Sequence, residues 1–466
     1  MKKILLTLLL AAPAMMLQAQ TDKGGISPEM LKDIQLYSSN DAVKDCVLRN
    51  ALAGTSINQL ALNANNPAVY DTHFSHKVES KGITDQQSSG RCWLFTGLNV
   101  MRAKMIADQN MGSFQFSQAY CFFYDQLEKA NLFLQATLDN AKLPFEDQNV
   151  QWLFQHPLSD GGTFCGVQDV VMKYGLVPAE IMPETFQANN TSRMASIISD
   201  KLREFGLTLR QAVADGKKAK DIEKQKTAML SQIYHILSLS LGEPPVEFTW
   251  TMKDASGKPV STKKYTPKSF YQEFFGKDLH KEFVMLMNDP SRPYHKTYTV
   301  NYDRHSYDGM QWTYINLPME EIKSMAIASI KDSTMMYYSC DVGKCYNAKT
   351  GVSSLDNYNY AYLFNVDFPM NKADRIRTYA SASSHAMTLM AVDLDENGKS
   401  TKWMVENSWG PSAGYRGHII MTDEWFDEYS FRLVVDKKYV PAATLKLLEQ
   451  KPTVLPAWDP LFAPEK

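Results

Sequence analysis

The chain has 466 residues, 44% of them hydrophobic and 21% charged, which is the composition of an ordinary globular protein. Its formal net charge of −2 argues against the strong positive field that binds nucleic acids or anionic membranes, so no nucleic-acid partner is expected. The 6 cysteines are too few for a disulfide scaffold and lack metal-type spacing, and no metal or other cofactor is predicted.

Residues 1–19 have the pattern of a secretory signal peptide. Lys2 and Lys3 precede an apolar run at 4–10, and a small residue, Ala19, closes the segment. The apolar run is too short to span a bilayer comfortably, and the alternative is a buried N-terminal helix. We therefore expect cleavage after Ala19, a periplasmic or secreted location, and no membrane span in the mature chain.

The part of the chain that follows is predicted to be mainly helical. Apolar residues recur at helical spacing in its first and last segments. The predicted helical segments are 27–62, 92–102, 117–134, 168–174 and a pair of helices over 192–241. Gly175 is a typical stop after the fourth segment, and Asp215-Gly216 separates the pair.

Strands are predicted in the second half of the chain. A hairpin is expected at 246–253 and 260–265, around a turn rich in polar residues. Later strands are predicted at 294–302, 310–315, 388–392 and 403–405. Helices followed by strands indicate an α+β protein, in which a helical half faces a β half.

Cys92 is a candidate nucleophile because it begins a predicted helix. A cysteine must be ionised to attack, and its ordinary pKa is too high for that near pH 7. A protonated imidazole and the positive end of a helix dipole both lower the pKa, and Cys92 is placed for the second. Gly90 allows the backbone before it to turn sharply and approach another segment closely. A buried structural cysteine at a helix start is the alternative.

His385 and Asn407 are candidates for the base and for the group that orients it. Small residues surround His385 in the sequence, which leaves room for a thiolate and a substrate. Asn407 follows a predicted strand, and its amide can fix the orientation of an imidazole as the third member of a triad. Taken singly, a hydrogen-bonded strand histidine and a turn asparagine are the better explanations of these two residues.

Gln86 and Trp409 complete the predicted site. The side-chain amide of Gln86 and the backbone N–H of Cys92 can together form an oxyanion hole, although a solvated loop glutamine is the alternative. Trp409 can shield the bond between His385 and Asn407 from water. The joint occurrence of a thiol, an imidazole and two amides in this order favours the acyl-transfer chemistry of a cysteine peptidase.

These residues resemble the papain superfamily of cysteine peptidases, and in particular the branch of bleomycin hydrolase and the bacterial aminopeptidase C enzymes. The segment 88–95, Ser-Ser-Gly-Arg-Cys-Trp-Leu-Phe, matches that branch closely, as do 159–162, 174–178, 340–344 and 405–410. The chain departs from the general papain signature at Ser89 and Arg91, and the separation of Cys92 from His385 is about twice the usual one.

The resemblance implies a papain-like fold with a large, mainly helical insertion. The expected organisation is a helical half of the catalytic domain at 20–190, an insertion containing the hairpin at 191–300, a β half at 301–454 and a C-terminal arm at 455–466. The resemblance also implies peptide substrates and a homohexamer whose active sites face an internal chamber.

The C-terminal arm is expected to set the specificity. The resemblance implies that it lies in the active-site cleft, where the carboxylate of the last residue, here Lys466, binds the α-amino group of the substrate. A fixed carboxylate pairs with an ammonium group and blocks longer chains, which gives aminopeptidase selectivity. The charged ending Glu465-Lys466 departs from the small apolar endings of relatives. An endopeptidase or dipeptidyl peptidase is therefore an alternative, as is a non-catalytic hexameric binding protein.

Overall fold

A computed structural model describes residues 24–38, 42–79 and 81–462. The predicted signal peptide at 1–19 and the last residue, Lys466, lie outside these ranges. The chain divides into two compact units, one formed by Met1–Leu62 with Asn359–Val366 and the other by Asn63–Tyr358 with Asp367–Lys466.

The helices occur along the whole described chain. The α-helices are α1 (Pro28–Ser38), α2 (Ala42–Gly54), α3 (Ile57–Ala61), α4 (Cys92–Asp108), α5 (Gln118–Asp139), α6 (Gln148–Gln155), α7 (Phe164–Tyr174), α8 (Ser192–Ala214), α9 (Ala219–Leu241), α10 (Pro267–Phe274), α11 (Leu279–Glu282), α12 (Met319–Lys331), α13 (Tyr360–Phe364), α14 (Lys372–Arg377), α15 (Asp423–Tyr429) and α16 (Ala442–Leu445). Among the described residues, no helix is long and apolar enough to cross a membrane.

The strands lie mainly after residue 247. They are β1 (His76–Lys77), β2 (Phe248–Lys253), β3 (Pro259–Tyr265), β4 (Phe283–Met287), β5 (Lys296–Val300), β6 (Thr313–Asn316), β7 (Met336–Cys340), β8 (Tyr346–Asn347), β9 (Val352–Ser353), β10 (His385–Leu394), β11 (Ser400–Glu406), β12 (His418–Thr422), β13 (Ser430–Asp436) and β14 (Thr453–Leu455).

The predicted helical segments are confirmed, although some ends differ. Helix α5 begins where predicted, because the side chain of Ser117 accepts a hydrogen bond from the backbone N–H of Tyr120, but it continues to Asp139. Helix α7 ends at the predicted glycine, since Gly175 has a φ of 88° that other residues rarely adopt. Helices α8 and α9 are the predicted pair, with the break at 215–218.

The second unit is built on one large mixed sheet. Its strand order is β14-β5-β6-β4-β13-β7-β10-β11-β12-β9-β8, and β1 pairs with β10 to complete the 12 strands. Strands β2 and β3 form the predicted hairpin apart from this sheet. Adjacent residues of a strand point to opposite faces, and Tyr337 and Tyr338 of β7 accordingly enter two different hydrophobic clusters. The α+β prediction is confirmed.

The segment at 191–300 contains strands of the large sheet in addition to its helices and hairpin. Strands β4 and β5 lie within it and join the large sheet, where β4 pairs with β13 and β6. Strand β4 was not predicted, because its continuous apolar run at 283–287 shows no alternation that separates a strand from a buried helix. The helical part of this segment, with its hairpin, therefore ends at Glu282.

Helix α4 connects the helices of the second unit to the sheet. It packs against β10 on one side and against α5 and α7 on the other. Trp93, Leu94 and Leu98 are almost fully buried, and buried residues occur all round the helix. A helix that is buried on every side is held firmly by its surroundings, so the position of its first residue, Cys92, is fixed.

The first unit is helical in its described part and comprises α1, α2, α3 and α13. The backbone N–H of Asn359 donates to the carbonyl of Ala61 over 2.7 Å, which ties α13 to α3. Large apolar side chains on its helices are exposed, among them Leu36 at 72%, Val43 at 77% and Val47 at 62%.

Candidate active site

Cys92 is the first residue of α4 and lines a cleft of about 450 Å³. The residue before it, Arg91, makes no side-chain cap, so the positive end of the helix dipole acts on the thiol. A Cβ added to Gly90 would lie 2.8 Å from the Cβ of Asp160, so glycine is required where the two loops meet. All 6 cysteines are within the described ranges, and none forms a disulfide.

His385 and Asn407 are brought together by the pairing of β10 with β11. His385 begins β10, and Asn407 directly follows β11. The Nε2 atom of His385 lies 2.8 Å from the Oδ1 atom of Asn407. That oxygen also accepts the backbone N–H of Ser408 over 2.8 Å, which fixes the amide with its oxygen towards the ring. Nε2 is therefore the protonated nitrogen, and Nδ1 carries the lone pair that can accept a proton.

The surroundings of His385 keep its ring neutral. Burial lowers the pKa of His385 to about 4, whereas the hydrogen bond to Asn407 raises it. Trp409 stacks on the ring with 4.7 Å between centroids and an angle of 30°. His385 lines the same cleft as Cys92, so a neutral base and a thiol share one cavity.

Gln86 is buried beside this pair but does not line the cleft. Its Nε2 atom donates to the carbonyl of Ser89 over 2.6 Å, and its Oε1 atom accepts from the hydroxyl of Ser408 over 2.7 Å. The segments around Gln86 and Ser408 are joined by a backbone hydrogen bond of 2.8 Å. The amide carries two N–H bonds, and the carbonyl of Ser89 accepts one of them.

The loop 159–163 forms another wall of the cleft and is held by side chains that the sequence analysis did not single out. Lys129 donates to the carbonyls of Ser159 over 2.9 Å and Gly161 over 2.6 Å. Gln126 also donates to Ser159, and the indole N–H of Trp93 donates to Asp160 over 2.7 Å. Three successive carbonyls of the loop are therefore bound from the helical side.

His305 lines the cleft and was also missed. Its Nδ1 atom lies 2.5 Å from the Oδ1 atom of Asp125, and its Nε2 atom accepts the backbone N–H of Thr163 over 3.1 Å. Lys129 pairs with the other oxygen of Asp125 over 2.8 Å. The only signal in the sequence was a pair of charges in the aromatic helix α5, at positions 125 and 129.

A buried ion pair lies directly before the thiol. Arg91 is fully buried, and its guanidinium contacts the carboxylate of Glu184 over 2.8 Å and stacks 5.1 Å from the ring of Phe95. The guanidinium also donates to the hydroxyl of Ser89 over 2.9 Å. Arg91 thus holds the turn that precedes Cys92 from within the protein.

The C-terminal segment contributes two residues to the wall of the cleft. Strand β14 pairs in parallel with β5, and Ala457 and Phe462 line the cavity together with Cys92 and His385. Asp459 is ion-paired with Arg292, and the buried Leu461 anchors the segment in the core. Lys466, the predicted binding residue for the substrate amino group, is not among the described residues. Within the described ranges, no group of His, Cys, Asp and Glu side chains is arranged to hold a metal.

Comparisons with known proteins give one consistent result. A model of the Peptidase C1-like family matches residues 26–462. Bleomycin hydrolase of Homo sapiens is 41% identical over 401 residues, which cover 84% of this chain and 88% of that protein. Aminopeptidase C of Lactobacillus delbrueckii subsp. lactis is 34% identical over 422 residues, which cover 90% and 94%. The crystal structure of PepW from Lactobacillus rhamnosis superimposes with a TM-score of 0.91 at 33% identity, over 95% of this chain and 99% of that chain.

Proposed function

The chain belongs to the Peptidase C1-like family and is a cysteine peptidase, and we propose that it is an aminopeptidase that acts through Cys92, His385 and Asn407. The family and the enzyme class predicted from the sequence are confirmed. The observation that carries the proposal is the cleft in which the thiol at the start of α4 and the histidine held by Asn407 share a cavity with the C-terminal segment.

The proposed reaction begins with proton transfer from the thiol of Cys92 to the Nδ1 atom of His385. The sulfur then attacks the carbonyl carbon of the first peptide bond, and the carbonyl oxygen takes the negative charge. When the tetrahedral species collapses, the C–N bond breaks and the imidazolium gives its proton to the leaving amine. Water, deprotonated by His385, attacks the thioester, releases the N-terminal amino acid and restores the thiol.

Asn407, Trp409 and Gln86 have supporting roles in this proposal. Asn407 keeps the imidazole in the tautomer that accepts at Nδ1, and Trp409 covers that bond from water. Gln86 donates its second N–H, together with the backbone N–H of Cys92, to the developing oxyanion. Loss of such a donor is typically worth about 3–4 kcal/mol of transition-state stabilisation.

The C-terminal arm restricts the enzyme to free amino termini in this proposal. This role of the arm is supported by Ala457 and Phe462, which line the cleft together with Cys92. In this proposal the carboxylate of Lys466, which lies outside the described residues, binds the α-ammonium group of a substrate and excludes longer chains.

Hydrolysis of fluorogenic aminoacyl amides, each with a free and an N-acetylated amine, tests the proposal. We expect the purified, reduced enzyme to prefer the free amine by at least about tenfold, since a lost ion pair at a desolvated site has that effect. The preferred activity should disappear in Cys92→Ala and persist in Cys345→Ala, a half-buried cysteine outside the cleft. Equal or faster cleavage of the blocked amides would assign the chain to endopeptidases instead.

The proposal includes a homohexamer and an exported location. Exposed apolar side chains on α1 and α2, such as Val43 and Val47, give the first unit a surface that suits a subunit contact. Sedimentation of the purified protein would distinguish a hexamer from a monomer. The basic start and short apolar run of residues 1–19 support export, which fractionation of the producing cells would test.

A further inference from the structure

Arg432 is a buried cation in the cleft that has no protein partner in the described part of the chain. It lies on β13, is only 8% exposed, and lines the cavity together with Cys92 and His385. Across residues 24–38, 42–79 and 81–462, its side chain makes no hydrogen bond or ion pair, and its Nε atom is buried without an acceptor. A guanidinium presents five N–H donors, and in these ranges no protein acceptor uses them.

Aromatic rings hold this guanidinium in place. Its central carbon lies 4.7 Å from the ring centroid of Phe462 and 5.7 Å from that of Trp312. Stacking of this kind stabilises the charge and fixes the plane but uses none of the N–H donors. The donors at the edge of the group are therefore oriented before any ligand arrives.

Asp303 is an acidic residue that interacts electrostatically with Arg432, but it does not neutralise Arg432. The two side chains form no ion pair within 4 Å in the described residues, although both line the cleft. Burial raises the pKa of the Asp303 carboxyl, against the opposing charges of Arg432, His305 and Lys129. Lys129, by contrast, is fully occupied by Asp125 and the loop carbonyls. Arg304 also lines the cleft and has a buried Nε atom without an acceptor, but it is only half-buried, so Arg432 is the more deeply buried of these two cations.

Removal of a guanidinium from water without a partner is costly, and a carboxylate is the group whose geometry matches its paired donors. We propose that Arg432 is a carboxylate-binding subsite, so that the cleft favours peptides with an acidic side chain at the first or second residue. This inference rests on the peptidase activity proposed above and adds a specificity to it.

Pairs of substrates that differ only in charge test the subsite. The probes are fluorogenic amides that carry Glu or Gln as the first residue, and tripeptides that carry Glu or Gln as the second, from which the released N-terminal amino acid is quantified. The ratio of kcat/KM for Glu to that for Gln is measured in each variant, because general losses of folding or activity cancel in it. We expect the ratio to fall by about ten- to a hundredfold in Arg432→Gln, as a charge-assisted hydrogen bond would require.

Matched variants keep the outcome decisive. Arg432→Lys retains the charge without the fork and should keep part of the preference, and Arg377→Gln, an exposed surface change, should keep all of it. Asp303→Asn should raise the ratio, because it removes a negative charge from the same wall. A ratio near one in the full-length enzyme that Arg432→Gln leaves unchanged would overturn the subsite. A carboxylate of the chain's own tail bound to Arg432 would give this result. Continued hydrolysis of the Gln amides would show that the aminopeptidase proposal stands in that case.

Discussion

Two buried histidines line the same cleft and are held in opposite ways. His305 has both ring nitrogens engaged by the protein, one by the carboxylate of Asp125 and the other by the backbone N–H of Thr163. In the described part of the chain, one ring nitrogen of His385 is hydrogen-bonded by the neutral amide of Asn407. The first arrangement pins a loop and leaves no site for proton transfer. The second orients a base and leaves its lone pair available, so the partners decide the role of a buried histidine.

Of the two histidine partners, Asn407 is the one that affects catalysis in the proposed mechanism. The hydrogen bond from His385 to Asn407 raises the pKa of the histidine, whereas burial lowers it. Removal of this bond should therefore lower the pKa further, because the imidazolium loses a stabilising acceptor. We expect Asn407→Ala to reduce kcat/KM by about 100- to 10,000-fold, by analogy with other general-base contributions. The acid limb of the pH profile should move to lower pH, since the ring then stays neutral down to a lower pH.

A second buried asparagine provides the control for this change. Asn357 is 1% exposed, hydrogen-bonds to backbone carbonyls and does not line the cleft. Asn357→Ala should reduce stability and leave the acid limb where it is. An acid limb that stays fixed in Asn407→Ala would separate Asn407 from the titration of His385.

The carboxylate of Asp125, which binds His305, should instead affect the free energy of unfolding. Burial raises the pKa of Asp125, but Lys129 and His305 outweigh it and lower the pKa below the ordinary 3.8. We expect Asp125→Asn to reduce the free energy of unfolding at pH 7 by about 3 kcal/mol, as for other broken buried pairs. The lowered pKa means that the ionised carboxyl stabilises the fold above about pH 4 and loses this effect as pH falls further. Urea unfolding at several pH values measures both.

The control is Asp108→Asn, because Asp108 forms the same type of pair with a lysine four residues away but is exposed. It should change the free energy of unfolding by at most about 0.5 kcal/mol. A similar loss in both variants, or a loss for Asp125→Asn that does not become smaller as pH falls below about 4, would contradict the stabilising role of the buried network.

The two histidines also show which parts of the site could be predicted from the sequence. The positions of Cys92 at a helix start, His385 at the start of a strand and Asn407 after a strand were predictable, because each has a local signal and a family motif around it. His305 had neither, since its partner Asp125 lies 180 positions away and only the folded chain brings them together.

The same limit applied to the fold. Helices α8 and α9 and the β2–β3 hairpin follow from local pattern and were placed well. Strand β4 was missed, because only its pairing with β13 and β6 identifies a short apolar run as part of the sheet. Long-range pairing, rather than local propensity, separates what could be predicted from what could not.

A side-by-side measurement of His385→Gln and His305→Gln tests the account most directly. Each variant is assayed for kcat and KM on a free aminoacyl amide and for its unfolding temperature. We predict that His385→Gln loses at least about a thousandfold in kcat with its unfolding temperature nearly unchanged. His305→Gln should keep kcat within about tenfold while KM rises and the unfolding temperature falls by several degrees. Loss of kcat in His305→Gln at full stability, or normal turnover in His385→Gln, would contradict the assignment of the base.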